Sequence, residues 1–201
     1  FNRTVTEIDA ALSEYRFDNY AKAVYDFFWR DFCDWYVEAA KPQMRDPTQR
    51  GQTSQILASV LDGVLRLMHP VIPFVTEVLW WKLNEVCPTR GLPGRIECPG
   101  GQRLIRAKWP TVGDVSQAAE HIFPRIQEIV ATVRNVRNEY KVDAKRPVTV
   151  LIMAPGDAGR QILAMRPAIE LLATCKLAAV GPDVQTPAGA VRATADKCEI
   201  F

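Results

Sequence analysis

Residues 18–42 read DNYAKAVYDFFWRDFCDWYVEAAKP, and the fold turns on how this run is taken. Tyr20, Val24, Phe27, Phe28, Phe32, Tyr36 and Val37 recur at helical spacing, with Asp18 placed as an N-cap and Lys41-Pro42 as a stop. So broad an apolar stripe does not suit a helix lying on a surface. The spacing predicts one α-helix from Asp18 to Ala40, packed inside a bundle.

The flanks supply the partners. Val5, Ile8, Ala11 and Leu12 fall on one face of a helix over residues 4–13. Residues 45–52, polar and holding Asp46-Pro47 and Gly51, predict a loop. A further helix spans Thr53 to Met68, with Ile56, Leu57, Val60, Leu61, Val64 and Leu65 on its apolar side. His69-Pro70 interrupts it, and Pro73 opens the first turn of another helix that continues through Phe74, Val78 and Leu79 to about Val86. The Pro/Gly-rich stretch 87–101 reads as an exposed connection, and 104–110 as a short extended segment that packs Trp109 back onto the bundle. The character then changes. A long helix over Val115–Tyr140 buries Ile122, Ile126, Ile129, Val130, Val133 and Val136, with Pro124 marking either its true start or a kink. Val148–Met153 is a buried strand, Gly156–Cys175 a helix with Pro167 awkwardly inside, and 177–180, 188–193 and 197–201 are candidate strands. The expected fold is mainly α: an antiparallel helical bundle over 1–112, followed by a small α+β unit over 113–201.

Bulk properties narrow the function classes. At 201 residues, 48% hydrophobic and 24% charged, the chain has an ordinary globular composition. A net charge of +2 is too small for the whole molecule to attract nucleic acid, so any such contact must come from local patches. There is no apolar run long enough for a membrane span and no signal-peptide pattern, so the expected location is the cytoplasm. Cys33, Cys87, Cys98, Cys175 and Cys198 show no C-x-x-C pair. They read as free thiols, a zinc site from Cys87, Cys98 and a histidine being the weaker alternative. No Gly-rich loop precedes Lys-Ser/Thr, and His69 and His121 fall in different predicted units. The expectation is no catalytic, cofactor or metal site within these residues.

What remains is aromatic and basic. Trp29, Asp34 and Trp35 cannot all share one buried face of the second helix, and an exposed ring beside a cation is how proteins hold an unstacked RNA base. Trp35, with Arg30 and Lys41 as the nearby cations, is the candidate. Between Arg90 and Arg146, eleven Lys and Arg outnumber six Asp and Glu, an excess of five. Arg134, Arg137 and Lys141, three and four apart, share one side of the long helix and are the candidate phosphate contacts. The alternative for the aromatics is plain core packing, and for the basic residues between Arg90 and Arg146 a solvated face.

The runs YRFDNYAKAVYDFFW, WRDFCDWYVEAAKP and LMHPVIPFVTEVLW resemble the anticodon-binding helical domain of the class I valyl-tRNA synthetase family. AKWP and VRNVRNEYKVDAKRPVTV are similar to the small domain that follows that bundle. The corner HP-x-x-PF-x-(T/S)E is shared with isoleucyl and leucyl relatives, whereas the Cys-Asp-Trp-Tyr neighbourhood is specific. The resemblance implies a piece of a monomeric ligase that joins valine to its tRNA using ATP and Mg²⁺. Its partners would be tRNA and the catalytic domain of the same chain. The HIGH-like and KMSKS-like signatures of that catalytic domain do not occur in this sequence. The alternative is a structural or protein-interaction module that positions a catalytic domain without touching RNA.

Overall fold

The computed structural model describes residues 1–93, 96, 98, 103–113 and 117–201. The chain divides into two compact units, Phe1–Val115 and Ser116–Phe201.

In the first unit, α1 (Asn2–Ser13) buries Val5, Ile8 and Ala11, the face its spacing predicts. Tyr15, in left-handed backbone, turns the chain into α2 (Phe17–Tyr25), whose Tyr20, Val24 and neighbours close a cluster with Leu67 and Trp109. Asp18 is not the N-cap; Arg16 holds that position and Asp18 lies in the first turn, where a carboxylate favours the positive helix end.

The expected single α-helix is three segments. After Tyr25 the backbone ladder widens to i→i+5 pairing, giving a π-helix over Asp26–Val37, and returns to α over α3 (Glu38–Arg45). A π-turn holds more residues, so each rotates the chain less than in an α-helix, and Phe28, Phe32 and Tyr36, four apart, line up in one row. Phe32 alone is fully buried within the π segment; Phe27, Phe28, Tyr36 and Val37 are half-buried. Pro42 does not stop the helix. It sits inside α3 at the cost of one ladder bond, and the end comes at Asp46, whose extended backbone (φ −81, ψ 116) is the conformation that the following Pro47 imposes.

The expected loop over 45–52 shrinks to a turn at Asp46–Gln49. There the Asp46 carboxylate accepts from the Thr48 N–H, the Thr48 hydroxyl and the Gln49 amide, which hold its pKa below the ordinary value. Helix α4 (Arg50–Met68) and α5 (Pro73–Val86) then pack around Trp80, which is fully enclosed with Ala58, Leu65, Leu83 and Leu104. The inner face of α5 is Thr76, Trp80 and Leu83, so Phe74, Val78 and Leu79 are exposed. Leu104–Arg106 is a 3-10 turn rather than extended chain. Trp109 does return to the bundle, its indole N–H donating to Asp9 at 2.8 Å. Residues 94, 95, 97 and 99–102 of the expected Pro/Gly connection lie outside the described residues.

In the second unit, α6 (Gln117–Glu139) buries Ile126, Ile129, Val130 and Val133 and runs through Pro124, which therefore does not mark its start. The expected start at Val115 lies outside the described residues. A four-stranded sheet has the order β2-β1-β4-β3. β1 (Val148–Met153) pairs parallel to β2 (Cys175–Gly181), and β4 (Cys198–Ile200) pairs antiparallel to both β1 and β3 (Ala193–Ala195). A parallel pair needs a crossover, and the chain between β1 and β2 provides it as α7 (Ala158–Ala164) and α8 (Arg166–Ala173). Pro167 resolves the misfit of one helix over 156–175: it lies in the first turn of α8, where its missing N–H costs nothing. The strand expected at 188–193 begins only at Ala193, because Pro187 and the positive φ of Gly189 form a turn first.

Candidate nucleic-acid interface

The aromatic segment is ordered by its own rings. Phe28, Phe32 and Tyr36 stack in a row with centroids 6.3 and 6.2 Å apart. Trp29 meets Phe28 edge-on at 5.1 Å and Tyr25 at 6.4 Å. Trp29 is 50% exposed, while Trp35 is half-buried, so the indole open to a ligand in this segment is that of Trp29. Tyr25, Phe28 and Trp29 also wall an apolar groove of ≈490 Å³, closed on the other side by Val71, Ile72, Val75 and Leu79.

Of the cations predicted here, Arg30 is exposed and pairs with Asp31 at 3.1 Å, a contact that raises its pKa, so it is a cation at any working pH. Lys41 is exposed and pairs with Glu38 at 2.5 Å. Exposed pairs of this kind contribute about 0–1 kcal/mol, so a phosphate can displace either carboxylate. Arg30, Trp35 and Lys41 belong to the first unit, and Arg134, Arg137 and Lys141 to the second.

The three cations expected on one side of the long helix part company despite their shared spacing. Arg134 is exposed and donates through Nε to the Leu172 carbonyl at 2.9 Å. Lys141 is exposed, just past the helix end in left-handed backbone (φ 52). Arg137 turns inward and is 7% exposed. Its Nη1 donates to the carbonyls of Arg146 (2.7 Å) and Thr174 (2.8 Å), and its Nη2 to those of Asp143 (2.8 Å) and Ala144 (3.2 Å). Both terminal nitrogens are thereby saturated, so Arg137 is not a phosphate contact. It ties the helix end to the loop before β1. Lys145 and Arg146, counted in the basic excess but not singled out by helical spacing, are exposed on that loop. The signal that could have found them is their place directly before Pro147 and a strand.

Other basic residues are committed elsewhere. Arg90 and Arg66 share the buried carboxylate of Asp62, each at 2.6 Å, and cover the Trp80 ring from 4.7 and 4.8 Å. Arg66 also donates to the Lys108 carbonyl, and Arg90 to Asn84 and the Cys87 carbonyl. Arg125 pairs with Asp196. Arg95 lies outside the described residues. The HP-x-x-PF-x-TE corner is structural as well. The Thr76 hydroxyl donates to the Ile72 carbonyl (2.8 Å), so the His69 Nδ1 contact at 2.8 Å is an N–H donated to Thr76. Glu77 accepts the Leu104 N–H with both oxygens.

Among the described residues no group of three His, Cys, Asp or Glu could hold a metal ion, and no helix is long and apolar enough to cross a membrane. Burial pushes the Cys98 thiol up to about 12, helped by the Asp62 charge, and the Cys175 thiol up to about 11. Both are protonated near neutrality and poor nucleophiles.

A family model described as the anticodon-binding domain of tRNA ligase matches residues 1–152, through the whole first unit and into β1 of the second. The chain is 34% identical over 183 residues to a valine–tRNA ligase of Rhodopirellula baltica, covering 90% of this chain and 18% of that protein. It is 39% identical over 153 residues to that of Thermotoga maritima (75% and 16%) and 35% over 185 residues to that of Nocardia farcinica (90% and 19%). The chain spans less than a fifth of the length of these curated relatives. By the match that covers its bundle, the α6 helix and the loop after it, this chain belongs to the anticodon-binding domain family of the tRNA ligases.

Proposed function

We propose that the chain is the tRNA-gripping portion of a valine–tRNA ligase, with Trp29 offering its ring to an anticodon-loop base in place of the half-buried Trp35, and Arg30, Lys41, Arg134 and Lys141 holding the backbone. The observation that carries this is that the half-exposed indole of Trp29 and the exposed guanidinium of Arg30 stand at successive positions of one segment, within the family match. Stacking a base on such a ring contributes about 1–3 kcal/mol. We assign attachment of valine, with its ATP and Mg²⁺, to other parts of the parent protein, this chain spanning less than a fifth of the length of its curated relatives. The location is the cytoplasm and the parent acts as a monomer.

In an anisotropy titration at low salt, the anticodon stem–loop of a valine-accepting tRNA should bind with Kd between about 10⁻⁶ and 10⁻⁴ M. Arg30→Ala with Lys41→Ala should weaken it roughly tenfold, since each removes about one phosphate contact. Unchanged binding by the double variant sinks the assignment of the first unit. A second reading, a protein-docking module, is favoured by the apolar groove at Tyr25 and Trp29. It predicts that Trp29→Ala leaves RNA affinity untouched.

A further inference from the structure

We infer that the loop joining α6 to β1, residues 140–146, is a preformed phosphate-backbone contact for RNA, with Lys141, Lys145 and Arg146 as the contacting cations and Arg137 as the residue that positions them. This rests on the tRNA-binding reading above and extends it to a site that helical spacing does not reveal.

The argument begins with Arg137. A guanidinium at 7% exposure is costly to bury unless its N–H groups are satisfied, and here four carbonyls satisfy it. Three of those carbonyls, from Asp143, Ala144 and Arg146, belong to the loop, and the fourth, from Thr174, lies at the entry to β2. The loop is fixed further from within. Val142 N–H donates to the Arg137 carbonyl (2.9 Å), Arg146 N–H to the Asp143 carbonyl (3.0 Å), and Lys145 N–H to the Asp143 carboxylate (2.8 Å). With its carbonyls drawn inward around one buried cation, the loop leaves the Lys141, Lys145 and Arg146 side chains exposed, beside the exposed ring of Tyr140.

Charge decides what such a loop can receive. Over residues 134–146 five cations stand against two carboxylates, Glu139 and Asp143, and Asp143 is already occupied by the Lys145 N–H. Among the described residues, the ion pairs of the second unit engage Arg125, Arg160, Arg166 and Arg192, and none engages Lys141, Lys145 or Arg146. That contrasts with Arg30 and Lys41, which must first release Asp31 and Glu38. Three exposed cations on a loop held by backbone hydrogen bonds bind a polyanion without the cost of ordering the backbone, leaving only their side chains to be fixed. A neighbouring aromatic ring suits RNA, whose unstacked bases it can cover. The loop also falls within residues 1–152, the span matched by the tRNA-ligase anticodon-binding family.

The test is the salt dependence of binding of the 201-residue chain to a valine-accepting tRNA. Lys141→Gln, Lys145→Gln and Arg146→Gln together should make the slope of log K against log salt shallower by about 2 units, and weaken binding at least tenfold at about 50 mM salt. Arg137→Met should also flatten the slope in a chain still folded by circular dichroism at the assay temperature, although Arg137 reaches no phosphate itself. If the wild-type chain binds and the triple variant keeps its slope, the loop site is wrong while the tRNA-binding reading stands. An Arg137→Met chain, folded and with the wild-type slope, overturns the positioning role. A wild-type chain that does not bind tRNA at low salt overturns both.

Discussion

Asp62 is the side chain on which most of the first unit's buried charge depends. It is 1% exposed and neutralises Arg66 and Arg90, at 3% and 4%, while both guanidinium planes lie against Trp80. Such a cluster adds little beyond what an apolar core would give, but removing the shared anion strands two buried cations. Asp62→Ala should therefore lower the unfolding free energy by about 3–5 kcal/mol, read as a shift of the urea midpoint. The thiols give a pH prediction at the same scale. Cys98 and Cys175 ionise at about 12 and about 11 in the folded chain, above the ordinary 9.0, because burial disfavours the thiolate. The folded state thus holds those protons more tightly than the unfolded one. Their contribution to stability is complete below about pH 9 and is lost as pH rises through the folded values. Urea midpoints should be level between pH 7 and 8.5 and fall by pH 10.5, and Cys98→Ser with Cys175→Ser should reduce that fall.

Single elements depart from their simplest pattern where bulky rings or prolines crowd. The run from Asp18 to Ala40 has the apolar periodicity of one α-helix, yet its middle is a π-helix. Periodicity reports which residues are apolar every third or fourth place; it does not report which backbone pairing, i→i+4 or i→i+5, the chain adopts. The two-proline corner between α4 and α5 behaves as its sequence suggests and gains a clamp that the sequence does not display. Thr76 is buried, accepts from His69 and donates to the Ile72 carbonyl. Thr76→Val keeps the shape and removes both bonds, leaving the His69 N–H without its partner, so it should cost about 1–3 kcal/mol in thermal or urea unfolding. A variant as stable as the wild type would show that the corner is set by Pro70 and Pro73 alone.

On the whole-molecule scale, a net charge of +2 means that affinity for RNA depends on where the cations stand, not on how many there are. If Arg30, Lys41, Arg134, Lys141, Lys145 and Arg146 all meet phosphates, the salt slope should approach about −4, from roughly −0.7 per contact on single-stranded RNA. A slope near zero would place the contacts on rings rather than charges.

The sequence by itself determined the order of elements, the helical first unit and the α+β second. It also determined the inward faces of α1 and α6 and the family, because these are local patterns of apolar spacing, proline placement and motif. The fate of each charge was decided only by the tertiary structure. Arg134, Arg137 and Lys141 are equivalent by spacing, yet Arg137 alone is drawn inside. The carbonyls that receive it come from residues 143, 144, 146 and 174, which meet only once α6, β1 and β2 have packed. Arg90 likewise reads as a surface cation until Asp62, twenty-eight residues away, is found buried beneath it. A cation's side of the surface is set by acceptors distant in the chain, and local sequence carries no record of them.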